Sequence, residues 1–167
     1  MRGKWAAGIE PRNFTWVFAG RLAVSERPGG ATLVHRRVRR DEEILWLQRN
    51  GFTRIISILP AMQNVQSYAD HGIATGHYAI VHGPKQREIL LACYEDLEAS
   101  LNSDAVVLLH GDEVSDRLLG LVAGYLVWSG KVASPTTAIA LTEQRFKSSI
   151  GTDGRSLVLD LPPHAVS

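Results

Sequence analysis

The sequence lacks most of the features that would restrict a function at first sight. It has a single cysteine, Cys93, so no internal disulfide can form, as is usual in a reducing compartment. No apolar stretch reaches the ~20 residues needed to span a bilayer, and the first residues lack the apolar run of a signal peptide. We therefore expect a soluble, cytoplasmic protein.

The chain also lacks an excess of charge. Its 18 basic and 17 acidic residues give a formal net charge of +1, so the usual electrostatic basis for binding nucleic acid is missing. A basic run at residues 35–40 is followed directly by an acidic run at 41–43. We interpret the basic run as a solvated loop leading into a helix. Neither nucleic acid nor a membrane is an expected partner, and no cofactor is expected.

What the sequence does contain is an alternation of apolar runs and helical patterns. Residues 53–59 and 105–109 are short, apolar runs bounded by turn residues, which predicts buried strands. Further strands are predicted at 14–18, 21–24 and 74–81, and helices at 41–50, 63–70, 86–101, 117–128 and from Ser134-Pro135 onward. This order predicts an α/β domain, with a central mixed or parallel sheet of about four to five strands flanked by helices in three layers.

The join between the strand at 105–109 and the helix at 117–128 holds the most informative residues. His110 ends the strand and Arg117 opens the helix seven residues later. Between them stand Gly111, Asp112, Glu113, Val114, Ser115 and Asp116. In this setting the spacing resembles the phosphate-binding loop of protein tyrosine and dual-specificity phosphatases, which reads His, Cys, five residues, Arg. The resemblance covers residues 13–150, with residues 1–12 as an N-terminal lead-in and 151–167 as a C-terminal tail.

The resemblance implies a reaction for which this chain lacks the groups. In the family a cysteine thiolate attacks phosphorus, the arginine holds the phosphate oxygens, and an aspartic acid protonates the leaving group. Here Gly111 stands at the nucleophile position and His82 at the general-acid position, within Tyr78–Pro84. The resemblance therefore implies a pseudophosphatase with no catalytic residue, a binding or regulatory module for a protein or a phosphorylated ligand, with weak anion binding at most.

Three further departures from the family pattern lie in and beside the loop. Val114 replaces a glycine that the family commonly has, and Leu118 replaces a hydroxyl residue. Asp112 and Glu113 add two carboxylates where a phosphate would bind. Each carboxylate would raise the electrostatic energy of a bound phosphate by on the order of several kcal/mol, at a distance of about 4 Å and an intermediate dielectric.

Other interpretations of the same residues remain open. The loop could simply cap the helix, with Arg117 paired to Asp112, Glu113 or Asp116. Alternatively, the pocket could have become a metal-dependent or otherwise redirected hydrolase. Imidazole and carboxylate groups suited to such a site occur at His77, His82, His110, Asp112 and Glu113. A third alternative uses Asp112 as an aspartyl nucleophile, which normally needs magnesium.

Overall fold

A computed structural model describes residues 8–30 and 36–161 of the chain. The five strands of its sheet are β1 (Thr15–Phe18), β2 (Leu22–Glu26), β3 (Arg54–Ser57), β4 (Ala74–His77) and β5 (Val107–Gly111). The helices of the described ranges are α1 (Arg36–Arg49), α2 (Val65–Asp70), α3 (Gln86–Asn102), α4 (Asp116–Trp128), α5 (Pro135–Phe146) and α6 (Thr152–Leu159). None of these helices is long and apolar enough to cross a lipid bilayer.

The sheet is mixed, with the strand order β1-β2-β5-β3-β4. Only β1 runs antiparallel, as the hairpin partner of β2, and the other neighbours are all parallel. Their carboxyl ends therefore meet at one edge of the sheet, which is where parallel α/β sheets build their sites. Because β5 lies between β2 and β3, the loop that follows it leaves from the middle of that edge.

Alternate residues of the strands enter two separate apolar cores. On one face, Val24, Ile56 and Leu109 pack with residues of α3 and α4. On the other face, Ile55 and Leu108 pack with residues of α1 and α2. Helices thus cover both faces, and the prediction of a three-layer α/β domain with a mixed sheet is confirmed.

The single cysteine belongs to the first of these cores. Cys93 lies on α3, is fully buried and carries a free thiol. Burial raises the pKa of the Cys93 thiol, with a smaller contribution from the charge of Asp96. The thiol is therefore protonated at neutral pH and serves packing, not nucleophilic attack.

The basic run is helical, so the prediction of a loop there is wrong for residues 36–40; residue 35 lies outside the described residues. Helix α1 begins at Arg36, five residues before the predicted start. One of the acidic residues that follow stabilises this start: Arg39 Nε lies 3.1 Å from Glu43 Oε1, one turn along the helix. Glu43 itself is buried and also accepts the backbone N–H of Gly29.

The second difference concerns residues 156–159, which lie in the segment interpreted from the sequence only as a C-terminal tail. These residues belong to helix α6, whose Leu157 and Val158 are buried against the domain. Helix α6 packs closely on α4, because a Cβ atom at Gly120 of α4 would lie 2.5 Å from Gly154 Cα of α6. The fold thus places a helix beside the start of α4, where the sequence pattern showed only a tail.

Candidate functional site at the end of the central strand

His110 enters the site from the sheet and is buried, with 1% of its surface exposed. Its Nδ1 donates a hydrogen bond to the Gly111 carbonyl oxygen at 3.2 Å. The Nε2 atom has no hydrogen-bond partner among the described residues. Burial lowers the pKa of His110 to about 4, despite the opposing effect of the bond to Gly111. The imidazole is therefore neutral at neutral pH and cannot supply positive charge to an anion.

Gly111 ends β5, paired in the sheet with Glu26. Its φ angle is not in the left-handed region, so the backbone does not require glycine here. A Cβ atom at this position would lie 3.3 Å from the Glu113 carbonyl oxygen and 3.6 Å from Ile58 Cγ1. The first contact is tight and the second ordinary, so a small side chain needs only a slight local shift. The structure therefore leaves room for a small side chain at position 111.

The loop after Gly111 turns into α4 without any left-handed residue. Val114 is half-buried and packs against both apolar clusters that α4 joins, which accounts for an apolar residue at this point. Ser115 is the N-cap of α4, because its Oγ accepts the backbone N–H of Leu118 at 3.2 Å. The hydroxyl of Ser115 therefore stabilises the helix start.

Arg117 is held by residues from outside the loop. Its Nη1 lies 2.9 Å from His82 Nε2 and 3.5 Å from Asp153 Oδ2, and its Nη2 donates to Gln86 Oε1. Only 19% of its side chain is exposed. The alternative in which Arg117 pairs with a carboxylate of the loop is therefore not the arrangement found.

The loop carboxylates have other roles. Asp116 accepts the backbone N–H groups of Gly151 and Gly154, the latter at 2.7 Å, and so caps the first turn of α6.

Asp112 lies 3.3 Å from Arg27 Nη1 and remains half exposed. Arg27 is fixed in turn by bonds from Nε and Nη2 to the Gly30 carbonyl oxygen, at 3.2 and 3.1 Å. Glu113 is exposed.

The histidines of the metal-site alternative do not converge. His77 Nε2 donates to the Leu59 carbonyl oxygen at 2.6 Å, His110 is buried in the sheet, and His82 is 73% exposed beside Asp153. Within residues 8–30 and 36–161 no group of three His, Cys, Asp or Glu side chains is placed to hold a metal ion. The structure therefore gives no support to a metal-dependent hydrolase, or to the magnesium site that an Asp112 nucleophile would need.

Three residues of the site were not anticipated from the sequence: Arg27, Gln86 and Asp153. Local sequence patterns do not connect Asp153 with Arg117, because the two residues are 36 positions apart. One local signal was available, since Gly151-Thr152-Asp153 followed by apolar residues is a possible helix start. Recognising that start would have predicted α6, although not which side chain its acidic residue meets.

No protein-family model and no curated protein matches the sequence. Solved structures do match. A kinase associated phosphatase with its catalytic-site cysteine replaced by serine superimposes with a TM-score of 0.73 at 21% identity, over 88% of this chain and 92% of that one. Tk-PTP in its active form gives 0.66 at 19% identity, over 89% and 94%. Human DUSP28 gives 0.65 at 18% identity, over 90% and 93%.

The similarity to these structures extends over nearly the whole chain and includes the mixed five-stranded sheet with helices on both faces. The chain therefore has the fold of dual-specificity and protein tyrosine phosphatases. At such low identity the similarity concerns the fold, and the activity has to be argued from the residues of the site.

Proposed function

We propose that this chain is a catalytically inactive phosphatase-like protein, a binding or regulatory module in which the loop at residues 110–117 performs no hydrolysis. The proposal depends on Gly111. It stands at the end of β5, where the resemblance places the attacking thiol, and it offers no nucleophilic atom. The nearest alternatives within the loop are occupied, since Ser115 caps α4 and Asp112 pairs with Arg27.

The general-acid position supports the same conclusion. His82 stands there, and its Nε2 lies near both Arg117 Nη1 and Asp153 Oδ1, at 2.9 and 3.2 Å. A general acid protonates the leaving group as the nucleophile attacks, so it has no role in this reaction where the nucleophile is missing. His82 therefore has a neighbouring ion pair to contact and no leaving group to protonate.

Anion binding at the loop is weak in this proposal. An incoming phosphate must replace Asp153 and Gln86 at the guanidinium of Arg117. It must also approach Asp112 and Glu113, which are both exposed and acidic. The role in binding or regulation rests instead on the intact domain, whose cores on both faces of the sheet remain filled.

Hydrolysis of p-nitrophenyl phosphate tests the proposal with four proteins: wild type, Gly111→Cys, Gly111→Ala and Arg117→Ala. We expect no turnover above buffer for wild type and for Gly111→Ala, which adds a Cβ without a thiol. Gly111→Cys should show at most slow turnover, because Arg117 remains engaged and Val114 remains in the loop. Wild-type turnover that disappears in Arg117→Ala would overturn the proposal. Turnover that persists in Arg117→Ala and through repurification would also contradict the proposal, because the hydrolysis would then occur at another site of the chain.

A further inference from the structure

A cavity of about 590 Å³ lies between β1, α4 and α5, and none of its lining residues belongs to the loop at 110–117. This volume is in the range of sites that bind small molecules, roughly 300–1,000 Å³. Apolar side chains form most of its wall, among them Val17, Phe18, Val122, Leu126, Val132 and Phe146. Such a wall favours an apolar body in the ligand.

Basic side chains are the charged part of the same lining. Lys131, Arg145 and Lys147 line the cavity, and no Asp or Glu does. Arg145 and Lys147 are exposed, and neither forms an ion pair with an acidic residue of the described ranges. Both lie at the C-terminal end of α5, where the partial negative charge of the helix end stabilises cations.

Lys131 is held in place by its neighbours. Its Nζ lies 5.7 Å from the centre of the Phe18 ring and 5.3 Å from that of Tyr125, within the range of cation–π attraction. It also lies 3.7 Å from Glu98 Oε2, which neutralises part of its charge. Selection of an anionic group therefore depends mainly on Arg145 and Lys147.

We propose that this cavity binds a small amphiphile with an apolar body and one anionic headgroup, such as a carboxylate or a phosphate. The apolar wall takes the body, and the two unpaired cations at the C-terminal end of α5 take the headgroup. The site is separate from the loop at 110–117, and the proposal does not depend on whether the chain hydrolyses phosphate esters.

Isothermal titration calorimetry with decanoate, below its micelle concentration, tests this proposal beside 1-decanol, which has the same chain and no charge. Wild type should bind decanoate more tightly than 1-decanol.

Arg145→Gln and Lys147→Asn should each weaken decanoate binding about three- to tenfold and leave the affinity for 1-decanol unchanged. Asparagine suits position 147, because its φ of 55° is left-handed. Arg49→Gln, on α1 and outside the cavity, is the matched control and should bind as wild type does.

A steric variant tests the location. Leu141 lines the cavity and is 46% exposed, so Leu141→Trp can fill the space without disturbing the core. It should abolish binding of both ligands while the thermal unfolding midpoint stays close to that of wild type. The proposal fails if decanoate does not bind, if 1-decanol binds equally well, if Arg49→Gln weakens binding as much as Arg145→Gln, or if a folded Leu141→Trp still binds.

Discussion

Gly120 on α4 and Gly154 on α6 approach so closely that neither has room for a Cβ atom. A Cβ at Gly120 would fall 2.5 Å from Gly154 Cα and 2.6 Å from its carbonyl carbon. At Gly154 the added atom would meet the Asp116 carbonyl group and Ile150 Cγ2. The close approach lets the Gly154 N–H reach the Asp116 carboxylate at 2.7 Å. The start of α4 and the start of α6 are therefore joined by backbone contact as well as by charge.

Replacing Gly120 by alanine should destabilise the domain. The new methyl group has to push α6 away from α4, and such overpacking lowers the free energy of unfolding by about 1–3 kcal/mol. Urea denaturation at neutral pH measures the change. Gly111→Ala is the matched control, because its added Cβ makes one tight contact and needs only a slight shift. Equal stability of Gly120→Ala and wild type would mean that the two helices do not touch here.

Neutralising Asp153 should improve anion binding at Arg117. In Asp153→Asn the guanidinium loses a charged neighbour that lies 3.5 Å away, so sulfate has less to displace. Titration calorimetry with sulfate should show an affinity several-fold higher than in wild type, consistent with the roughly 1 kcal/mol of a part-exposed ion pair.

The double variant Asp153→Asn, Arg117→Ala is the control for this measurement. The double variant should not show the increased sulfate affinity of Asp153→Asn, because the cation that binds sulfate is then absent. Sulfate affinity in Asp153→Asn that is no higher than in wild type would show that Asp153 does not compete for Arg117.

His110 should make the stability of the protein depend on pH between neutrality and mild acid. Burial lowers the pKa of His110 from 6.5 to about 4. The unfolded chain therefore binds a proton on this residue before the folded chain does. The contribution of His110 to the free energy of unfolding is complete above its pKa in the unfolded chain. It decreases as the pH falls from about 6.5 to about 4, by on the order of 3 kcal/mol.

Urea denaturation between pH 7.5 and 4.5, compared with His110→Asn, isolates this contribution. Asparagine retains an N–H donor near the position of Nδ1 and does not titrate. The stability difference between the two proteins should therefore narrow as the pH falls. Parallel pH profiles would contradict a neutral, buried imidazole at this position.

The strands and most of the helices could be predicted from local sequence patterns. The runs at 53–59 and 105–109 have the composition of buried strands. Ser134-Pro135 is a direct helix-start signal, which is confirmed because Ser134 Oγ accepts the backbone N–H of Thr137. Helix α1 was predicted too short, because the basic run alone gives no apolar face. Its first turns depend on contacts such as Arg39 with Glu43, which composition does not reveal.

The loop residues could also be identified from the sequence, whereas the residues that they contact could not. The spacing of His110 and Arg117 placed them at the two ends of one turn, as the structure shows. The partners Gln86 and Asp153 are 31 and 36 residues away from Arg117. Only the packing of α3 and α6 around the start of α4 brings them within reach, and long-range packing leaves no periodic trace in a sequence.

The position of Asp116 and Arg117 at the head of α4 bears on how such loops are interpreted in genome sequences. One side chain caps α6 and the other contacts its first turn, so the neighbouring pair joins two parts of the domain. The arginine therefore contributes to the stability of the fold whether or not a nucleophile is present. An arginine at this spacing is therefore poor evidence of enzymatic activity in a distant homologue unless the cysteine is present as well.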